Sequence, residues 1–201
     1  MNILNHVKRV IEIEASSIQE LLNQVGPHYE TAVNLIKNCK GKVIVTGVGK
    51  SGHVGKKIAA SLASTGTPAF FVHSTEGVHG DLGMIQKEDI VIMISNSGET
   101  AEVLNLLPSL EKIGSKCIAI TSRKDSTLAQ SCEVALTYQY NTEADFHGLA
   151  PTTSSTITLV IGDALAIALS NLKEFKEEDF LLYHPGGSLG EQLLIKYNKG
   201  S

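Results

Sequence analysis

The amino-acid sequence predicts an α/β fold in which helices cover both faces of a five-stranded parallel sheet. From residue 42 onwards, short apolar runs rich in β-branched residues alternate with segments of helical spacing. Strands that are apolar along their whole length are typical of a parallel sheet buried on both faces. The length of 201 residues suits one domain with a substantial core. We therefore expect a three-layer αβα sandwich.

Two helices are predicted ahead of the first strand. Apolar residues recur at helical spacing between residues 4 and 38, and the Gly26–Pro27 pair interrupts the pattern. The sheet core occupies residues 42–172, and a C-terminal segment follows over residues 175–201. No repeat, low-complexity stretch or linker divides the sequence, so we predict a single domain over residues 1–201.

Strands and helices alternate along the predicted core. Strands are expected at residues 42–49, 69–74, 90–95, 116–122 and 134–140. Helices are expected at residues 51–64, 102–113, 127–131 and 153–170. Open parallel sheets with right-handed crossovers bind ligands beyond the carboxyl ends of their strands, where the strand order reverses. The polar residues of this sequence collect at those strand ends.

The composition argues against several classes of partner. The net charge is −4, no basic run occurs and Trp is absent, which disfavours nucleic acid as a partner. We identify no apolar stretch of the ~18–20 residues that a membrane span needs, and charges interrupt the N-terminus. Cys39, Cys117 and Cys132 form no C-x-x-C motif, so we expect reduced packing residues. We therefore predict a cytoplasmic protein without membrane or nucleic-acid partners.

The first predicted strand ends in GVGKSG, residues 47–52, which matches G-x-G-x-x-G. The acid that usually holds a nucleotide ribose is missing, since the second strand ends in HST and Glu76 comes two residues late. A P-loop is excluded because residue 44 is Ile. A glycine turn into a helix N-terminus with Lys50 and Ser51 suits one phosphate or carboxylate. The alternative is a tight turn with an exposed lysine.

The third predicted strand ends in SNSGET, residues 95–100, again just before a helix. Its hydroxyl groups and the helix N-terminus offer many donors to an anion, and Gly98 would let a ligand approach the backbone closely. The alternative is a cluster that merely caps the helix, with Thr100 as the cap, but one cap needs one such residue. The predicted substrate-binding residues of this loop are Ser95, Asn96, Ser97, Gly98 and Thr100. Glu102 could point back into the same cleft.

Three further side chains are candidates for sugar binding or proton transfer. His79 lies in a loop after the second strand and could donate to a sugar hydroxyl. Glu143 precedes the long apolar helix and could be a proton-abstracting base whose pKa is tuned by burial. His184 lies before Pro-Gly-Gly, away from any regular element, and could be an acid or base. Each also has a plain structural alternative: a surface histidine, a solvated loop acid and a turn histidine.

Together these segments resemble the sugar isomerase (SIS) family, whose fold is flavodoxin-like, and within it the D-arabinose 5-phosphate isomerases. The stretches that carry the resemblance are GVGKSGHVGKK, ASTGTPAFFVHSTEGVHGDLGMI, ISNSGET, GLAPTTSSTITLVIGDALA and HPGGSLG. They follow the family's order and spacing over nearly the whole chain. The resemblance implies an aldose–ketose isomerase of D-arabinose 5-phosphate and D-ribulose 5-phosphate, which proceeds through a cis-enediol(ate). It also implies a pair of CBS modules after this domain, and the sequence ends before them.

The resemblance also assigns roles to particular residues. The four catalytic positions of the family fall on Lys50, Glu102, Glu143 and His184. Substrate-contacting positions fall on Gly66, Thr67 and His79, and His73 matches a histidine that takes inhibitory zinc in some relatives. We expect Ser51 to bind the substrate phosphate. The family needs no cofactor and assembles as a homotetramer whose sites lie between subunits. We expect the same here, with His79 or His184 as the residue supplied by a neighbour.

Within the resemblance, we favour Glu143 as the base that takes the C2 proton, with His184 as the alternative. Lys50 and Glu102 would position the sugar hydroxyls, and Lys50 would also stabilise the enediolate oxygen. Three other functions remain open: an isomerase of another phosphosugar, a non-catalytic sugar-phosphate-binding regulator, and a nucleotide-dependent oxidoreductase based on G-x-G-x-x-G. The product would supply Kdo synthesis for lipopolysaccharide or capsule.

Overall fold

The computed structural model describes residues 2–186, and the sheet is the five-stranded parallel one that the sequence predicts. The strands are β1 (Val43–Gly47), β2 (Ala69–His73), β3 (Ile90–Ile94), β4 (Lys116–Thr121) and β5 (Val134–Thr137). Their order across the sheet is β2-β1-β3-β4-β5, and every neighbouring pair is parallel. The strand order reverses between β1 and β3. The two polar loops predicted from the sequence, residues 47–52 and 95–100, follow these two strands.

Nine helices are present among the described residues, and they cover both faces of the sheet. Their bounds are α1 (Ile3–Leu21), α2 (Pro27–Lys37), α3 (Gly49–Ser64), α4 (Ser74–Val78), α5 (Ala101–Leu104), α6 (Leu107–Ile113), α7 (Thr127–Gln130), α8 (Thr153–Leu172) and α9 (Glu177–Tyr183). Short 3₁₀ turns occupy Leu22–Gln24 and Asp81–Met84. Helices α1, α2, α3 and α8 pack on one face, and α5, α6 and α7 pack on the other. This arrangement confirms the three-layer αβα sandwich.

Two local predictions were wrong, and one helix was not predicted. The helix expected at 102–113 is two helices, because Pro108 lies in the first turn of α6 and has no N–H for a continuous helix. The segment expected as a loop over 75–85 contains α4 and a 3₁₀ turn. His184 lies outside helix and strand, as predicted, but it directly follows α9, a helix that the sequence analysis did not predict, as its C-cap. The part of the HPGGSLG stretch from residue 187 on lies outside the described residues.

Helix α8 corrects the statement that no apolar stretch is long enough for a membrane span. Among the described residues it is the one helix that meets the length and composition of such a span. It packs against α3, α1 and α2, and side chains such as Ile157, Ile161, Leu165 and Leu169 are buried in the main core. Its apolar composition therefore follows from its place in the core layer.

Candidate functional site

The two predicted anion-binding loops lie side by side at the reversal point of the sheet. Gly47 ends β1, and a side chain added there would meet Ile94 O at 3.2 Å and Gly52 N at 3.4 Å. The backbone of the first loop therefore packs directly against the end of β3, from which the second loop departs. Ligands of doubly wound sheets bind at this position.

The first loop, residues 47–52, leaves its donors uncommitted. Helix α3 begins at Gly49, and no side chain caps its first N–H groups. Lys50 is exposed and Ser51 is half-buried, and within residues 2–186 neither side chain has a hydrogen bond or an ion pair. The uncapped end of a 16-residue helix carries partial positive charge, and the Lys50 ammonium adds a full one. This loop has the character of an anion-binding site.

The second loop, residues 95–100, is held together by its own hydroxyl groups. Gly98 N donates to Ser95 Oγ at 3.0 Å, and Ser95 Oγ shares a hydrogen bond with Thr100 Oγ1 at 2.7 Å. Thr100 occupies the N-cap position of α5, but its side chain caps no helical N–H. The alternative in which Thr100 is simply a cap is therefore wrong, because its hydroxyl stabilises the loop instead.

Gly98 is required by close packing at the back of the loop. Its φ is +67°, and an added Cβ would overlap Ser126 Oγ and lie 2.9 Å from Thr121 Oγ1. We predicted that Gly98 makes room for a ligand, but in this structure the room is taken by the segment after β4. Glu99 Oε1 accepts a hydrogen bond from Thr127 N at 2.8 Å on the same side. That bond lowers the pKa of the exposed Glu99 carboxyl, since only its ionised form accepts fully.

Glu143 is a buried carboxylate with four hydrogen-bond donors around it. Its Oε2 accepts from Thr152 N at 2.8 Å, Thr152 Oγ1 at 3.1 Å and Ser154 N at 3.2 Å. Its Oε1 accepts from the Tyr140 hydroxyl at 2.9 Å. Its exposed fraction is 6%, so the alternative of a solvated loop acid is wrong.

The hydrogen bonds also set the charge of Glu143. Burial raises the pKa of Glu143, but the bonds from Ser154, Thr152 and Tyr140 together bring it below its ordinary value. The tuning by burial that we predicted is therefore outweighed by hydrogen bonding. Ser154 lies in the first turn of α8, where the helix dipole also favours a negative charge. The group is an ionised carboxylate at neutral pH, and it lines a cavity of about 610 Å³.

Two tyrosines that the sequence analysis did not single out join Glu143 to the second loop. Asn96 Nδ2 donates to Tyr140 OH at 3.0 Å, and Tyr138 OH donates to Asn96 Oδ1 at 2.9 Å. Both functional atoms of the Asn96 side chain are thus committed within the protein. The signal was present in the sequence: Tyr138 and Tyr140 are two residues apart at the end of β5, which places them on the same face.

Lys50, Glu102 and His79 follow the carboxyl ends of β1, β3 and β2, as predicted. Glu102 lies in the first turn of α5 and is exposed. His79 is the exposed C-cap of α4, which follows β2 directly. The fold therefore brings these side chains and Glu143 to the same end of the sheet, beyond the carboxyl ends of its strands. Lys50, Glu102 and His79 are exposed, which leaves them free to contact a ligand or another chain.

Gly66 and Thr67 lie at the opposite end of the sheet, where the strands begin. They precede β2, and Val43 N donates to Pro68 O at 2.8 Å where β1 begins. Five residues of strand separate them from the carboxyl end, a distance of roughly 16 Å. Thr67 Oγ1 accepts a hydrogen bond from Lys173 Nζ at 2.9 Å. One chain therefore does not bring Gly66 and Thr67 to the side chains named above.

His184 belongs to this second cluster. The Phe175 ring fills the space beside Gly66, where an added Cβ would lie 2.5 Å from it, and it stacks on Tyr183 at 5.9 Å. Helix α8 starts beside Glu143 and ends at Leu172, 20 residues or about 30 Å away. The His184 ring stacks on Phe180 at 3.9 Å.

The hydrogen bonding of His184 assigns its neutral tautomer. Its Nδ1 lies 2.9 Å from Phe180 O, and a carbonyl oxygen can only accept, so Nδ1 carries the proton. Nε2 then keeps a free lone pair, which suits an acid–base role.

His73 does not fit the role of a zinc ligand in one chain. Its Nδ1 accepts from Thr75 N at 3.3 Å, which places the proton of the neutral ring on Nε2. Zinc at Nε2 would require the proton on Nδ1 and would break this cap of α4. Residues 2–186 contain no group of three or more His, Cys, Asp or Glu side chains arranged to hold a metal.

A doubly wound sheet with two anion-binding loops at its reversal point and a buried carboxylate beside them defines an α/β ligand-binding domain. A sequence profile of the SIS domain matches residues 35–168, and the chain belongs to the SIS domain family. The resemblance stated from the sequence motifs is thereby confirmed at the level of the family.

Individual members of the family resemble the chain over nearly its whole length. The chain is 50% identical over 195 residues to the arabinose 5-phosphate isomerase KpsF of Escherichia coli O6:H1 strain CFT073, covering 96% of this chain and 60% of that protein. It is 50% identical over 196 residues to the arabinose 5-phosphate isomerase KdsD of Pseudomonas aeruginosa, covering 98% of this chain and 60% of that protein. The chain thus spans three fifths of their length.

A solved protein of E. coli CFT073 in complex with arabinose 5-phosphate superimposes with a TM-score of 0.89. It is 49% identical in sequence, and the match covers 92% of this chain and 100% of that one.

Proposed function

We propose that this chain is an aldose–ketose isomerase that interconverts D-arabinose 5-phosphate and D-ribulose 5-phosphate. The observation that carries the proposal is the buried, ionised Glu143 carboxylate, joined by hydrogen bonds to a loop suited to a phosphate. The names of the two relatives, at 50% identity, supply arabinose 5-phosphate, and D-ribulose 5-phosphate is its ketose isomer. The same reaction would supply Kdo synthesis for lipopolysaccharide or capsule, in the cytoplasm.

The phosphate would bind between the two loops. The uncapped N-terminus of α3 and the side chains of Lys50 and Ser51 supply donors from one side. The second loop supplies Ser97 and Thr100 from the other side, with Ser95 holding it in shape. Lys50 would also stabilise the negative charge that develops on the enediolate oxygen, and Glu102 would orient the sugar hydroxyls.

Glu143 has an open position for the C2 proton. Oε2 accepts three hydrogen bonds and Oε1 only one, so one lone pair of Oε1 remains free. A base takes the proton from C2, and the electron pair forms the C1–C2 double bond of the enediolate while O1 gains a proton. Reprotonation at C1 with loss of the O2 proton then gives the ketose. The lowered pKa keeps Glu143 ionised over the physiological range, although it also weakens the base.

His184 is the second candidate for proton transfer, and we propose that it acts on the site of a neighbouring subunit. In one chain it lies with Gly66 and Thr67 at the far end of the sheet. An assembly of subunits would bring that end of one copy to the Glu143 of another. Exposed apolar side chains on α1, such as Val7 and Ile11, and Phe146 beside the site support association, and we expect a homotetramer.

We propose that the reaction needs no cofactor, because the two loops, Glu143 and Lys50 supply the acid–base and electrostatic groups that an enediolate mechanism requires. Inhibition by zinc, which the resemblance to the family implies for His73, would require ligands from more than one chain. Neither nucleic acid nor a membrane is expected as a partner.

The direct test is isomerisation of D-ribulose 5-phosphate by the purified chain, followed by proton NMR in D₂O with metal chelated. We expect arabinose 5-phosphate with deuterium at C2. Glu143→Gln should lose at least ~10²-fold in kcat, since general base catalysis contributes ~10²–10⁴-fold. Glu111→Gln, an exposed carboxylate on α6, is the matched control and should retain full activity. Absence of turnover in a folded wild type that still binds the sugar phosphate would favour a regulator.

A mixing experiment tests the shared site. Glu143→Gln and His184→Ala are each expected to be inactive. If one site combines residues of two copies, reassembled mixtures of the two variants recover about one quarter of the wild-type rate, by random pairing of subunits. No recovery, in mixtures shown to contain hybrid oligomers, would place both residues in the same chain's site.

A further inference from the structure

The second loop and Glu143 are connected by one continuous set of side-chain hydrogen bonds. Glu143 Oε1 accepts from Tyr140 OH at 2.9 Å, Tyr140 OH accepts from Asn96 Nδ2 at 3.0 Å, and Asn96 Oδ1 accepts from Tyr138 OH at 2.9 Å. Each donor and acceptor follows from the chemistry of the groups, because a carboxylate only accepts and a phenol carries one proton. The hydrogen bonds can therefore run in only one direction, from Tyr138 through Asn96 and Tyr140 to Glu143.

Asn96 is fixed on its backbone side as well. Its carbonyl oxygen accepts from Ser122 Oγ at 2.7 Å, Ser122 N at 3.0 Å and Thr121 Oγ1 at 3.1 Å. The residue is thus bonded to β4, to the end of β5 and, through Tyr140, to the segment that carries Glu143. A side chain with both functional atoms committed in this way keeps at most one N–H for a substrate and is held in one orientation.

We propose that Asn96 and Tyr140 form a bracket that positions the Glu143 carboxylate relative to the phosphate-binding loop, and that Tyr140 is a positioning residue for the isomerisation. This rests on the proposed function and assigns Asn96 a role other than the substrate contact predicted from the sequence. The Tyr140 bond to Oε1 orients the same oxygen that keeps the open lone pair. Its loss would leave Oε1 without a protein donor, so the three bonds to Oε2 alone would orient the carboxylate.

The two tyrosines differ in a way that allows a controlled test. Tyr140 touches Glu143 directly and is half-buried. Tyr138 is 1% exposed, bonds to Asn96 and lies 3.3 Å from Thr158 Oγ1, but it gives no hydrogen bond to Glu143. Burial raises the pKa of both hydroxyls, so both stay protonated and act as donors throughout the neutral range.

The other ionisable groups near Glu143 keep their hydrogen bonds whichever of the two tyrosines is changed. From α1, Glu20 lines the same cavity, and Arg9 Nη1 donates to Ala144 O at 3.2 Å. Glu14 of α1 accepts from Thr156 in the first turn of α8 at 2.9 Å. Asp145 lies two residues beyond Glu143 and accepts from the backbone of its own loop. Within the part of the chain that the structure describes, none of these side chains is hydrogen-bonded to either tyrosine.

The test compares Tyr140→Phe with Tyr138→Phe. We expect Tyr140→Phe to lower kcat about tenfold with KM changed less than about twofold, since ground-state binding of the phosphate is unaffected. The acid limb of its kcat–pH profile should move to higher pH, because the carboxylate has lost a donor to its ionised form. Tyr138→Phe should keep the wild-type acid limb even if its melting temperature falls. Equal acid limbs in wild type and Tyr140→Phe would overturn the proposal.

A second measurement separates this proposal from the isomerase function. Carbon NMR of protein labelled at the glutamate carboxyl, with the Glu143 signal assigned from Glu143→Gln, follows the titration directly. The midpoint should rise in Tyr140→Phe and not in Tyr138→Phe, whether or not the chain turns over a sugar phosphate. That result with an inactive wild type would refute the isomerase and keep the bracket. An unchanged midpoint in an active enzyme would refute the bracket alone.

Discussion

The two anion-binding loops at the centre of the sheet are built in opposite ways. The loop after β1 has an uncapped helix end and free Lys50 and Ser51 side chains within the described residues. The loop after β3 has most of its polar groups bonded, Ser95 within the loop and Asn96 and Glu99 to other parts of the protein. The difference separates two tasks. An open set of donors receives the anion, and a rigid set fixes the distance from the anion to Glu143.

The largest effect should come from a methyl group in the rigid loop. Gly98→Ala combines a left-handed backbone conformation with an overlap on Ser126, and these together cost about 3–5 kcal/mol of unfolding free energy. Urea denaturation measures this loss. Gly49→Ala is the matched control, because Gly49 also has a positive φ of +57° but no atom lies within 4 Å of an added Cβ. It should lose only the left-handed penalty of about 1–2 kcal/mol. Equal losses would show that packing behind Gly98 is unimportant.

Removal of the free cation in the open loop should affect activity and leave stability alone. Lys50→Met is expected to lower kcat/KM about 10²–10³-fold, the range for loss of one group that stabilises an oxyanion. Its melting temperature should match the wild type, since the ammonium has no partner within the described residues. Lys56→Met, an exposed lysine almost two helical turns further along α3, controls for the loss of charge. A comparable loss in both variants would argue for general electrostatics instead of a site at Lys50.

The sequence predicted this site in outline because strand ends, glycines and hydroxyl clusters are local features. The order of the layers and the positions of Lys50, Glu102 and Glu143 after their strands follow from the alternation of strands and helices, whereas the strand order that sets the reversal point comes from the structure. Contacts between distant residues are different. The bond from Tyr140 to Glu143 and the packing of Ser126 behind Gly98 depend on how separate loops meet in space. No periodicity records them.

The separation of His184 from Glu143 shows the same limit. The family resemblance placed both in one functional group and left open whether His79 or His184 is the residue that a neighbouring copy supplies. The direction and length of α8 put His184, with Gly66 and Thr67, at one end of the sheet and Glu143 at the other. The three-dimensional path of the chain therefore favours His184 over His79 as the residue that a neighbour would supply.

A moderate effect is expected from the hydroxyl that supports the rigid loop. Ser95→Ala removes the acceptor of Gly98 N and the partner of Thr100 Oγ1 in a buried position, and it should cost about 1–2 kcal/mol. Ser97→Ala is the matched control, because Ser97 is exposed and its hydroxyl accepts from Glu99 N alone among the described residues. It should stay within about 0.5 kcal/mol of the wild type. Thermal unfolding with and without inorganic phosphate would distinguish a loss of loop stability from a loss of anion binding.

The smallest effect should appear at Glu99, which lies on the exposed side of the rigid loop. Its Oε1 bond to Thr127 N lowers the pKa of the carboxyl in the folded protein relative to the unfolded chain. A group with a depressed folded-state pKa stabilises the fold above its unfolded pKa, and the stabilisation is lost as the pH falls through the folded value.

Glu99→Gln should therefore melt slightly below the wild type at pH 7, and the two curves should converge under acidic conditions. A difference that persisted at low pH would mean that the side chain acts through its shape. A wild type no more stable than Glu99→Gln at neutral pH would mean that the bond to α7 contributes nothing to the rigidity of the loop.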